Sequence, residues 1–136
     1  MKEALLTITT KQEGAEEAVS FTTRSAYDET DAGLQLRYEE SLSEEDAVQT
    51  RLLIGEDSIM VEREGDTGGD MFFRSATTYE TQYRAMPGLG LSMRIFTTNL
   101  DIARDEKGVQ ASVGYQLFLG GSSVGSMGMD IRVEYL

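Results

Sequence analysis

The chain has 136 residues, 24 of them acidic and 12 basic, for a formal charge of -12, and it contains neither histidine nor cysteine. That length suits a single domain over residues 1–136 with a core large enough to stand without metal or disulfide. The two missing residue types exclude serine–histidine triads, cysteine–histidine pairs and the usual zinc ligand sets, and the acidity opposes phosphate backbones and anionic lipid.

The opening "MKEALLTITTKQEGAEE" already alternates between apolar and polar residues, unlike the continuous apolar core of a signal peptide. No stretch approaches the ~20 apolar residues of a membrane span, so the expected setting is the cytoplasm. Period-two alternation then recurs along the chain, and no helical stripe competes with it. Leu6 and Ile8 share a face in the first strand, Val19, Phe21, Thr23 and Tyr27 in the second, and Leu34, Leu36 and Tyr38 in the third. "SLSEEDA" at 41–47 reads as an acidic loop. A fourth strand presents Val48, Leu52 and Ile54, and a fifth turns Ile59 and Val61 inward with Met60 and Glu62 outward.

"EGDTGGD" at 64–70 is the most turn-rich stretch, and it lacks the alternating oxygen ligands and closing glutamate of a calcium loop. From Met71 to Tyr83 the odd positions hold Met71, Phe73, Tyr79 and Tyr83, which predicts one long or bent strand. After "AMPGLG" the apolar phase runs through Leu89, Leu91, Met93 and Ile95, then shifts by one residue to Phe96, Leu100 and Ile102, the signature of a β-bulge. The closing ribbon, residues 109–136, turns at Gly120–Gly121. Gly114, Gly125 and Gly128 are placed opposite its apolar side chains, where strong coiling is easy. The sum is an all-β fold, an antiparallel meander of about eight to ten strands closed into a barrel.

An Arg-x-Gly turn at Arg63–Gly65, the apolar pair Met71 and Phe73, Tyr83, Pro87, Leu91, Met93, Thr97 and the "DEKG" turn at 105–108 follow one another in a familiar order. The chain resembles the YwiB-like family of small bacterial proteins over most of its length. The resemblance implies a lipocalin-like, calycin-type barrel and no established activity. Gly88 and Leu89 stand where that family places an aromatic residue and then glycine, and the absence of tryptophan means that lipocalin ligands are not implied.

Alternation points Arg63 to the interior, where an arginine must be paired. It is read either as a guanidinium fork at the barrel mouth, suited to a carboxylate or phosphate, or as a strand-end arginine that snorkels or pairs locally. Tyr79, Tyr83 and Tyr115 fall on apolar faces with Tyr27 and Tyr38, and they either orient a ligand whose body touches Met93 or pack as core. Arg37, Arg51, Arg74, Arg94 and Arg132 point outward, leaving too few inward cations for a triphosphate tunnel enzyme. The carboxylates lie in turns and on outer faces, against a glycosidase pair.

The favoured reading is therefore a non-enzymatic barrel without metal or cofactor. It binds a small, partly apolar or amphipathic ligand through Arg63, Tyr79, Tyr83, Tyr115 and Met93. The alternative is a structural or interaction module with a filled core, forming a homodimer through outward Met60 and Phe72.

Overall fold

In the computed structural model the described residues are 2–41, 47–64, 69–86 and 89–136. Their alternation becomes ten strands in chain order: β1 (Lys2–Gln12), β2 (Val19–Thr30), β3 (Gly33–Ser41), β4 (Ala47–Ile54), β5 (Ser58–Arg63), β6 (Met71–Arg74), β7 (Thr78–Met86), β8 (Leu89–Asp105), β9 (Gly108–Leu119) and β10 (Ser122–Tyr135). No helix occurs among the described residues, and none is therefore long and apolar enough to cross a membrane. The "SLSEEDA" loop, the centre of "EGDTGGD" and the Pro87 turn lie outside the described residues.

One antiparallel sheet contains every strand, in the order β6-β5-β4-β3-β2-β1-β10-β9-β8-β7. Every strand bonds to its neighbours in sequence except β6 and β7, and β1 bonds to β10 from Ala4↔Tyr135 to Gln12↔Met127. The meander thus curls into a nearly closed barrel whose seam falls between β6 and β7.

The inner face follows the alternation. Leu6, Leu36, Leu52, Ile59, Phe73, Ile95 and Ile131 have no solvent access, so side chains from opposite walls fill the interior. Burying each such side chain is worth about 1.5–3 kcal/mol, and together they hold the roll. The β9–β10 hairpin turns on Gly120 and Gly121, with φ of 58° and 84°, the two positive values that a tight two-residue turn needs.

The structure departs from the expectation at four places. The single strand expected from Met71 to Tyr83 is two, broken at Ser75–Thr77, where Ala76 takes a φ of 59°. β6 pairs with β5 and β7 with β8, so the break lies on the seam. Alternation keeps its phase across the break, which is why it was invisible. The gap is closed by other means. Ala76 N donates to the Thr97 carbonyl at 2.9 Å, Thr97 N donates to the Thr77 carbonyl at 3.1 Å, and β6 lies against β8 as well as β7. Phe72, from the outer side of β6, packs on Tyr79, from the inner side of β7, with ring centroids 5.8 Å apart. The two edges therefore overlap instead of meeting.

The bulge is real but sits later, between Thr97 and Asn99. Thr97 still points inward and is fully buried, so Phe96 belongs to the outer side; a polar residue at an inward position moved the apparent shift forward. Apolar residues also stray at the strand ends, with Val19 76% and Leu91 43% exposed. Finally, Gly125 pairs with Leu117 after a register shift, which places it on the inner side and not opposite the apolar set.

Candidate functional site

Arg63 ends β5, and its register partner on β4 is Thr50, which in turn pairs with Tyr38 on β3. All three face inward, so a row of polar side chains crosses three strands at one end of the barrel. Thr50 and Tyr38 are buried and Arg63 is half-buried. The chain after β5 holds the arginine in place. Arg63 Nη1 donates to the Gly69 carbonyl at 2.8 Å, and Arg63 N donates to Asp70 Oδ1 at 3.0 Å. The first bond orients the guanidinium against the rim, and the second ties the strand end to Asp70.

Gly69 is the hub of this end. It is buried, and a methyl group in place of its hydrogen would press on the Gln82 carbonyl, Met93 Cε and Tyr83 Cα. Only glycine permits that approach of two backbones. Arg63, Tyr83 and Met93 thus gather around one residue, and Tyr115 joins them from β9. The Tyr115 hydroxyl is buried, and loss of solvent pushes its pKa up to about 12 while the charge of Arg63 pulls it the other way. Of the five residues singled out from the sequence, four therefore share a neighbourhood. Tyr79 stands apart, against Phe72 at the seam.

A groove of about 420 Å³ wraps over the rim at this point, lined by Arg37, Gln49, Thr50, Arg51, Glu62, Arg63, Glu64 and Asp70. Arg51 and Glu62 form an ion pair of 2.5 Å in its wall. The lining is polar. Met93 and Tyr115 lie behind it, inside the core, where Tyr115 packs on Phe73 with ring centroids 4.9 Å apart.

The sequence profile of the family described as a domain of unknown function, DUF1934, matches residues 5–131. The chain belongs to that family. The solved structure of the YwiB protein from Bacillus subtilis is similar to this DUF1934 chain with a TM-score of 0.83, covering 99% of this chain and 92% of that one at 20% sequence identity. At that identity the likeness concerns the fold, and it bears out the resemblance to YwiB-like proteins. No curated protein matches the DUF1934 chain.

Two site features escaped the sequence reading. Thr50 was passed over because a threonine between Val48 and Leu52 looks like ordinary strand filling. Arg104 was missed because the bulge was not carried through to its end: after Thr98 the even positions face inward, and Leu100 and Ile102 are followed by Arg104. Its guanidinium donates to Glu29 Oε1 at 2.8 Å, and its pKa is raised first by the neighbouring Tyr135 hydroxyl and then by Glu29. Tyr135 is itself stacked on Tyr27 at 4.8 Å. This latch joins β8, β10 and β2 at the end of the barrel opposite Arg63. Among the described residues no cluster of three carboxylates is placed to hold a metal ion.

Proposed function

We propose that this DUF1934 chain is a non-enzymatic binding barrel that receives a small carboxylate or other anion in the rim groove, with Arg63 as the anchoring cation. The observation that carries this reading is the groove itself, of ligand size and built around an inward arginine whose guanidinium the Gly69 carbonyl orients. Thr50 lines the groove beside it, Tyr83 and Met93 lie against Gly69, and Tyr115 is buried in the core behind. The ligand sits at the mouth and not in a hollow interior, since the interior is occupied by side chains.

The test is thermal denaturation in the presence of a panel of two- to eight-carbon monocarboxylates. A ligand present at a hundred times its Kd should stabilise the fold by about 2.7 kcal/mol. Arg63→Ala should abolish the rise in Tm, and Arg63→Lys should retain part of it. A panel that leaves the wild-type Tm unmoved, or an Arg63→Ala protein that responds like the wild type, overturns the proposal.

The filled interior favours a second reading, an interaction module that pairs with its own copy through the outer face of β5 and β6. Met60 and Phe72 are register partners on that face and both are half-buried. A purely monomeric sedimentation profile at high concentration would remove it.

A further inference from the structure

On the outer face of β7–β9 one row of side chains runs Glu80, Arg94, Phe118 by direct register. Opposite charges on facing residues of neighbouring strands ordinarily pair. Here no ion pair of Glu80 or Arg94 occurs among the described residues. Instead the Arg94 guanidinium lies over the Phe118 ring, its carbon 4.6 Å from the centroid. That stacking satisfies one face of the cation and aims its N–H edge sideways. The next row, Gln82 and Ser92, adds an amide and a hydroxyl. Between these residues and the Gly121 turn lies a groove of about 390 Å³. Gly121 has nothing within 4 Å of the place a side chain would take, so the groove stays open on that side.

A carboxylate and a guanidinium that line one groove side by side without forming an ion pair match a ligand carrying both charges. We infer that the groove lined by Glu80, Arg94 and Phe118 binds a small zwitterion of the α-amino-acid type. Its carboxylate lies on the N–H edge of Arg94, its ammonium on Glu80, and its side chain near Phe118. A molecule with one charge satisfies only one side and leaves the other group as it was, so recognition requires both. This groove shares no lining residue with the Arg63 groove.

The experiment is amide and arginine side-chain chemical-shift mapping of the intact protein with each of the twenty L-amino acids, using propionate and propylamine as single-charge controls. At least one amino acid should move the signals of Glu80, Gln82, Ser92 and Arg94 in a saturable way, with affinity at least tenfold above either control. Glu80→Gln and Arg94→Gln are surface changes expected to leave the fold intact by circular dichroism, and each should lower that affinity at least tenfold. Arg63→Ala should not change it, which separates this outcome from the fate of the rim groove. Absence of saturable shifts for all twenty, equal binding of propionate, or undiminished binding by Arg94→Gln overturns the inference.

Discussion

The ring of Phe73 on β6 lies 4.9 Å from the ring of Tyr115 on β9, tilted by 56°, and so joins the short edge strand to the sheet on the other side of the seam. β6 has only four residues and bonds to β5 alone in the sheet, so this buried aromatic contact is much of what keeps the seam shut. Phe73→Ala should cost about 3–5 kcal/mol in urea denaturation. A loss below about 1 kcal/mol would mean that the seam closes without it.

Tyr115 ties the stability of the same contact to pH. Its pKa in the folded protein is about 12, raised by burial above the ordinary value of about 10 in an unfolded chain. The unfolded state therefore releases the phenolic proton first. The stabilising contribution is complete below pH 10 and is lost as pH rises through 12. At about 1.4 kcal/mol per unit, the loss is about 3 kcal/mol. Denaturation measured between pH 9 and pH 12 should show this slope, and Tyr115→Phe should flatten it. Ultraviolet titration should find a late-ionising tyrosine that Tyr115→Phe removes.

Thr97 sits fully buried at the bulge, and its hydroxyl has no hydrogen-bond partner among the described residues. Leaving such a group unmatched costs about 1–3 kcal/mol, whereas a methyl of the same shape suffers no such cost. Thr97→Val should therefore raise the unfolding free energy by about 1 kcal/mol. A fall of that size would show that the hydroxyl is satisfied in solution and that its bond matters.

Much of this architecture was legible because alternation reports which way a side chain points. Leu34, Leu36 and Tyr38, or Val109 to Tyr115, could be placed on the inner face without any coordinates. Alternation does not report which strand lies alongside. The break at Ala76 preserves the phase on either side, and "RSATT" contains no glycine, proline or asparagine to announce a turn, so β6 and β7 read as one element. The bulge was detected from Leu100 and Ile102 but misplaced, because Thr97 is polar and inward. Of the rim site, Arg63 was recognisable as an inward cation. Gly69 was not, since its part depends on two backbones brought together by the overlap at the seam.

The ladder between β1 and β10 has a consequence for how the protein is made. The second strand to leave the ribosome waits only for the first, but the far edge of β1 must remain uncovered until β10 has been synthesised, since its partner is the final strand. Closure therefore waits for all ten strands and has a large loop entropy to overcome. Throughout that interval the nascent chain carries an open template for strand pairing, the kind of surface that chaperones shield.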